Sequence, residues 1–415
     1  MLRLIPNACV QCLILACLCS GAGCKSKSPE YAKPLPPGVS ALRKLDPKDW
    51  PDLSAALPMD DAFTAAAKRS LAWFAKPSSQ RFYPFDGITH DQARASVYAL
   101  PALAFEATST EAFLTKLREE FDVYTSIGWD GSGTVLFTGY YSPVFPASKV
   151  RTPEFRFPLY KRPADLVADS ITGEVKGRQV GDTIVPYPTR KDIETKNLLA
   201  GSELVWLRSR LDAYIVEVQG SAQLRMTDGS TMLIGFAGSN GQTYTSMGRL
   251  LGEEGKLDKH KITLTAIRDH FKANPQELDS YIQRNDRFVF FTTYDQGDWP
   301  AGSLGVKVEP GRSLATDKSI YPRACVTLVT TQTPQGPNAA PGETKSFNRL
   351  MLDQDTGGAI RAPGRADIYY GIGHEAELIA GKQVAEGRLY YLLLKPERVA
   401  VWVERMKGVI PGPNQ

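Results

Sequence analysis

The sequence is poor in the residues that build metal and nucleophile sites. Its four histidines, His90, His260, His270 and His374, are scattered over 415 residues with no HExxH or paired-His spacing. The sequence therefore predicts no metal site and implies no cofactor. No Gly-x-Ser-x-Gly elbow occurs. Gly371-Ile372-Gly373 lacks the remaining glycine and the βαβ setting of a dinucleotide fingerprint. Net charge is also nearly absent. Forty-nine basic against 45 acidic residues leave +4, which argues against an electrostatic nucleic-acid binder. No apolar run approaches the roughly 20 residues of a membrane span, and no fixed-period repeat is present. A composition of 42% hydrophobic and 23% charged residues argues against a disordered chain.

Cysteine is missing from the body of the chain. Five of the six, Cys9, Cys12, Cys17, Cys19 and Cys24, lie in the first 24 residues, and only Cys325 lies beyond. The early five sit in or just after a short apolar run behind Arg3, which reads as the apolar part of an export signal. The run ends in Ser20-Gly21-Ala22-Gly23-Cys24 before a polar tract from Lys25. Small residues before a Cys resemble a bacterial lipoprotein processing site, and Cys24 is the expected lipid acceptor, followed by a tether over 25–40. Cys17, after Ile14-Leu15-Ala16, is a competing site, and a plain secretory signal accounts for the same run. Cys325, in an apolar β-like stretch, is expected to be a buried, inert thiol.

The length is enough for two or three domains. Gly 35 plus Pro 29 gives 64 residues, which fits a mainly β protein with many turns and a few helices. Helices are expected over Ala62–Phe74 and after Thr108, whose spacing to Glu111 is that of a capping box. A further pair is expected at Leu264–Phe271 and after Asn274-Pro275. Strands are expected at Thr134–Phe137, Tyr214–Val218, Phe288–Phe291, Val326–Val329, Asp367–Tyr370, Leu389–Leu392 and Val399–Trp402, with a hairpin at Asp228-Gly229 and an exposed loop over Thr333–Lys345.

Carboxylates among glycines mark the last hundred residues: Asp353-Gln354-Asp355-Thr356-Gly357-Gly358, then Arg365-Ala366-Asp367-Ile368, with Asp317 upstream. Asp367 begins an apolar strand, where desolvation would hold a proton on it. Taken singly, each Asp also fits a turn cap. The lone Asp355-Thr356-Gly357 admits an aspartic-peptidase reading that would need a dimer. Thr138-Gly139-Tyr140-Tyr141-Ser142-Pro143, Val218-Gln219-Gly220-Ser221 and Phe236-Ala237-Gly238-Ser239-Asn240-Gly241-Gln242 set rings beside amides, a combination suited to carbohydrate.

Taken in order, TGYYSP (138–143), VQGSAQLRMTDG (218–229), FAGSNGQTYTSMGRLL (236–251), RFVFF (287–291), ATDKS (315–319) and QDTGGAIRAPGRADIYYGIG (354–373) resemble the membrane-bound lytic murein transglycosylase A family. Where the family has a Glu in the first motif, this chain has Ser142. The resemblance implies a double-psi β-barrel domain built from 41–142 and 287–410, with a smaller β domain, 143–286, inserted. It also implies non-hydrolytic cleavage of peptidoglycan glycan strands, leaving 1,6-anhydromuramyl ends. Mapped residue by residue, Asp367 matches the acid/base, Asp355 a second acid in the site, and Asp317 a supporting third. Thr138, Tyr140, Gln219, Ser221 and Asn240 become candidate groove contacts. The expected partners are peptidoglycan and, through the lipid on Cys24, the outer membrane facing the periplasm. The chain is expected to be a monomer and to bind no nucleic acid. A non-catalytic wall-binding lipoprotein is the alternative from a different class.

Overall fold

The computed structural model describes residues 30–407 except 55, 56, 58, 171, 172 and 259–261. The candidate processing sites Cys24 and Cys17 lie outside the described residues.

The chain opens with β1 (Leu42–Lys44), α1 (Asp61–Phe74), α2 (His90–Glu106), α3 (Thr110–Glu120), β2 (Phe121–Ser126) and β3 (Val135–Ser142). Next come β4 (Val144–Ser148), β5 (Phe157–Tyr160), β6 (Leu166–Ala168), β7 (Val175–Val180), β8 (Thr183–Val185), α4 (Arg190–Thr195), β9 (Glu203–Leu207), α5 (Arg210–Gln219), β10 (Ser221–Met226) and β11 (Thr231–Ser239). Helices α6 (Met247–Glu253), α7 (Leu264–Ala273) and α8 (Leu278–Gln283) precede β12 (Val289–Tyr294). The last part holds β13 (Ser313–Ala315), β14 (Val326–Pro334), β15 (Thr344–Asp355), β16 (Arg365–Ile372), α9 (His374–Ala380), β17 (Val384–Leu394) and α10 (Val399–Met406).

Strands from both ends of the chain form one sheet in the order β1-β2-β17-β14-β15-β13-β16-β3. The first residues of β17, Val384–Gly387, also pair with β3, while its later residues pair with β14 and β2. The sheet thus curls back on itself into a barrel-like form. The middle elements build a separate sheet, β12-β11-β10-β4-β9-β5, with a small β6-β7-β8 sheet beside it. This is the expected fold class: a barrel-like β domain assembled from both ends of the chain, with a second β domain inserted.

Apolar strands buried on both faces need cover, and α1 and α2 supply it. Phe63, Phe74 and Leu100 pack with Phe137, Leu328, Leu352 and Leu392 in one core. Smaller clusters hold the inserted part, one of them around Leu211, Leu251 and Phe271 on its helices. Local chemistry explains the boundaries. Asp60 accepts a bond from the Phe63 amide at 2.8 Å and caps α1. The Asp228-Gly229 turn joins β10 to β11 as the expected hairpin, with Gly229 at φ 83°.

Several elements differ from the sequence reading. Tyr214–Val218 and Val399–Trp402 are helical, within α5 and α10. Their β-branched runs mimic strands; α10 buries Trp402 and Met406 at helical spacing, whereas α5 buries Ala213 to Glu217 in succession and so shows no helical period. Helix α2 escaped notice because Ala93, Ala95, Val97, Ala99 and Leu100 are all buried, leaving no one-sided stripe, and Pro101 lies inside it. The cap of α3 is Ser109, which accepts from the Ala112 amide at 3.1 Å, one residue beyond Thr108. Asn274 donates back to the His270 carbonyl at 2.9 Å and closes α7 instead of capping the next helix by its side chain. Cys325 is fully buried, and burial pushes its thiol up to about 12, as an inert thiol requires.

Candidate active site

Strand β13 is three residues long, and its last residue organises the site. Ala315 pairs with Asp355 of β15 on one side and Asp367 of β16 on the other. The two aspartates therefore flank one alanine, roughly 10 Å apart at Cα across two ladder spacings. One strand further out, Asp367 pairs with Thr138 and Tyr369 with Tyr140 through the parallel β16–β3 ladder. The sheet register thus gathers five residues from TGYYSP and QDTGGAIRAPGRADIYYGIG.

The Asp367 carboxylate accepts from the Thr138 hydroxyl and from Arg365 Nη2 at 3.3 Å. Arg365 Nη2 also donates to Thr138 Oγ1 at 2.9 Å, so the three close a triangle. The Asp367 side chain keeps 14% of its surface exposed, enough for a reacting atom to reach it.

Asp355 is held differently. Its Oδ1 accepts from the Ser303 amide at 2.7 Å and the Thr356 amide at 2.8 Å. Protein surrounds it closely, and desolvation pushes its carboxyl above the ordinary value despite those two bonds. Asp355 lies two strands from Asp367. Gly302 explains how the backbone comes so close. A Cβ there would lie 3.1 Å from Asp355 Cγ and 2.8 Å from the Gln354 carbonyl oxygen. The buried Tyr140 hydroxyl lies beside the Asp355 carboxyl and interacts with it. Its ring meets Tyr369 at 5.0 Å.

Gly139, between Thr138 and Tyr140, serves the opposite face of β3. A Cβ there would meet Ala380 Cα at 2.7 Å and the Tyr370 ring at 2.9 Å. Its absence lets α9 press on the strand that carries the site.

The remaining candidates fall at other places. Asp317 accepts from the Ser319 amide at 3.0 Å and the Ala362 amide at 2.9 Å, tying the turn after β13 to the loop before β16. Ser221 and Ser142 share a 2.8 Å hydroxyl contact, and Ser142 reaches the Tyr369 hydroxyl at 3.1 Å. Ser142, where the family has Glu, is therefore buried in a hydroxyl chain linking β10, β3 and β16. Gln219 accepts from the Tyr141 amide at 3.1 Å, so both residues of the second motif fasten the inserted part to β3. Asn240 donates to the Pro188 and Asp286 carbonyls at 2.9 and 2.8 Å and accepts from the Phe288 and Gln242 amides. Its amide has no donor or acceptor left for a glycan.

Two features escaped sequence reasoning. Tyr244, four residues after Asn240 in the same motif, brings its phenol within electrostatic reach of Asp367 and Arg365. Arg365 was visible only as part of a motif, although its spacing of two before Asp367 puts both on one strand face. Among the described residues no cluster of metal-binding side chains occurs, and no helix is long and apolar enough to cross a membrane.

Comparison with known proteins matches residues 136–292 to the MltA specific insert domain and 312–393 to the 3D domain. Over 281 residues the chain is 33% identical to membrane-bound lytic murein transglycosylase A of Escherichia coli strain K12, covering 66% of this chain and 70% of that one. The crystal structure of a membrane-bound lytic murein transglycosylase from Agrobacterium tumefaciens superposes with a TM-score of 0.68 at 27% identity, covering 88% of this chain and all of that one. The structure of E. coli MltA with bound chitohexaose gives 0.65 at 26% identity, covering 89% and 97%. With the paired aspartates on a barrel-like sheet and the insert matched beside them, the chain belongs to the membrane-bound lytic murein transglycosylase A family of enzymes.

Proposed function

We propose that this chain cleaves peptidoglycan glycan strands between N-acetylmuramic acid and N-acetylglucosamine with Asp367 as the single acid/base. Asp367 gives its proton to the glycosidic oxygen as the bond from that oxygen to the muramyl C1 breaks. The C6 hydroxyl of the same muramyl sugar attacks C1 and returns its proton to Asp367. The products are a free N-acetylglucosamine 4-hydroxyl and a 1,6-anhydromuramyl end, and the enzyme regains its starting protonation.

The observation that carries this reading is the different holding of the two aspartates: Thr138 and Arg365 aim the part-exposed Asp367, while backbone amides hold Asp355. A hydrolytic glycosidase needs a second ionised carboxylate, as nucleophile or to activate water. Asp355 has one oxygen committed to two backbone amides and sits where burial favours its neutral form. A carboxyl tied to two amides in this way is poorly placed as nucleophile or base, so an intramolecular hydroxyl suits the site better than a second carboxylate does. Asp355 is instead placed to hydrogen-bond a sugar oxygen. Thr138 and Arg365 aim Asp367, and Tyr140, its ring backed by the buried Tyr369, offers ring surface. Asp317 keeps the loop before β16 in place.

The same reading puts the mature chain of 415 − 23 = 392 residues on the periplasmic side of the outer membrane, as a monomer held by a lipid on Cys24. Digestion of purified sacculi tests the activity. Wild type should release 1,6-anhydromuropeptides detectable by mass spectrometry, and Asp367→Asn should lose this by a factor of about 100 or more while keeping its fold. Sacculi that pellet with the protein yet yield no product would leave only a wall-binding role.

A further inference from the structure

The segment just before β1 reaches the active site. The Tyr31 ring meets Trp129 edge-on with centroids 5.9 Å apart, and its hydroxyl donates to Glu386 Oε1 at 2.7 Å. Burial and Glu386 together push this phenol up to about 12. Gly364 makes room for the segment. A Cβ there would lie 2.6 Å from the Tyr31 carbonyl oxygen and 2.6 Å from Trp129 Cβ. Thus residues 30–33 are seated on the strand entry that leads, three residues later, to Asp367.

Between this segment and the barrel lies an open cavity of about 470 Å³, lined by Glu30, Tyr31, Ala32, Lys33 and Arg365. Arg365 belongs to both places. Its Nη2 holds Thr138 and Asp367, while its Nε is buried and has no partner. A buried guanidinium N–H without an acceptor is costly unless a ligand supplies one. Lys33 adds an exposed ammonium whose contact with Glu30, at 4.0 Å, is weak and exchangeable. The ring of Tyr31 and the methyl of Ala32 add apolar surface.

We infer that this cavity takes the anionic peptide stem of the muramyl sugar at the cleavage point, with Arg365 and Lys33 receiving its carboxylates. This rests on the proposed cleavage of murein. The chemistry matches: the stem hangs from the muramyl ring, carries carboxylates that suit the Arg fork, and includes small apolar side chains. The size matches a short peptide too, since the volume lies in the range that holds drug-sized ligands and far exceeds what a bare lactyl group fills. The N-terminal segment is then a wall of the substrate site as well as a connection to the membrane.

The test compares glycan strands carrying stems with strands stripped by an amidase, using the full chain and counting anhydro ends. Wild type should favour stem-bearing strands in kcat/KM by about ten-fold, one charge-assisted contact's worth. Lys33→Glu, which leaves the Tyr31 packing intact, and Tyr31→Ala should both bring this ratio toward one, as should raising the salt concentration. Thermal melts check that both variants stay folded. A wild-type ratio near one overturns the inference and leaves the cleavage reading standing. So does a high ratio that Lys33→Glu and Tyr31→Ala leave unchanged, because the stem is then read elsewhere. Absence of anhydro ends from both substrates overturns the cleavage reading and this inference with it.

Discussion

In the interior of the barrel-like sheet, Asp353 of β15 is fully buried and bonded to the Lys318 ammonium, the Thr316 hydroxyl at 2.8 Å and the Tyr391 hydroxyl at 2.6 Å. Two residues along the same strand, at the mouth, Asp355 is held by the Ser303 and Thr356 amides with the Tyr140 hydroxyl beside it. Tyr391 is itself stacked on Tyr321 at 5.4 Å, so the interior carboxylate sits in a rigid cage. Burial lowers the Lys318 pKa and raises that of Asp355. The same desolvation acts in both regions, but in one a fixed cation balances the carboxylate and in the other burial raises the carboxyl's pKa. A carboxylate fully satisfied by protein serves the fold, while one left short of partners is available for chemistry.

Breaking the interior pair should have the largest effect. Lys318→Met leaves Asp353 without its cation and should destabilise the protein by about 3–5 kcal/mol in urea unfolding, and Lys318→Met with Asp353→Leu should recover much of this. If the single variant were as stable as wild type, the interior cage would not be structural.

At the mouth, the expected loss is in rate. Thr138→Val removes the hydroxyl bond to Asp367 with little change of shape. It should lower kcat/KM by about ten- to a hundred-fold, the worth of a charge-assisted bond, with melting temperature nearly unchanged. On the outer face of the same strand the opposite outcome is expected. Gly139→Ala pushes a methyl into Ala380 and Tyr370 and should cost about 1–3 kcal/mol of stability.

Asp355→Asn sharpens the contrast by its sign. The wild-type carboxyl has a folded pKa above its ordinary 3.8, so its contribution is fully present below that value and is lost as pH rises through the folded one. Asn keeps an acceptor for Ser303 and Thr356 and cannot ionise. The variant should therefore gain stability relative to wild type as the pH is raised from acid to neutral, read as melting temperature across that range. A variant that loses ground at neutral pH would show that Asp355 is paired after all.

Much of this contrast was legible in the sequence, though not its geometry. Asp355 and Asp367 stand out because glycines and apolar strands surround them, and that environment is local. The Asp228-Gly229 hairpin and α1 are also local, written in turn chemistry and in one capping residue. Lys318 gave no signal, because its meaning depends on Asp353, 35 residues away. Tyr214–Val218 misled for the same reason. Glu217 in that run holds the buried Arg190 at 2.6 Å, a pairing made by the tertiary fold and invisible to strand propensity. Asn240 attracted attention as an amide beside glycines, which is equally the composition of a loop pinned by its own side chain.

In the proposed reaction the muramyl C6 hydroxyl, and not water, completes the cleavage. Digesting sacculi in ¹⁸O-labelled water tests it directly. Muramyl ends in the 1,6-anhydro form without incorporated label are expected. Reducing muramyl ends carrying ¹⁸O would contradict it and make the enzyme a hydrolase.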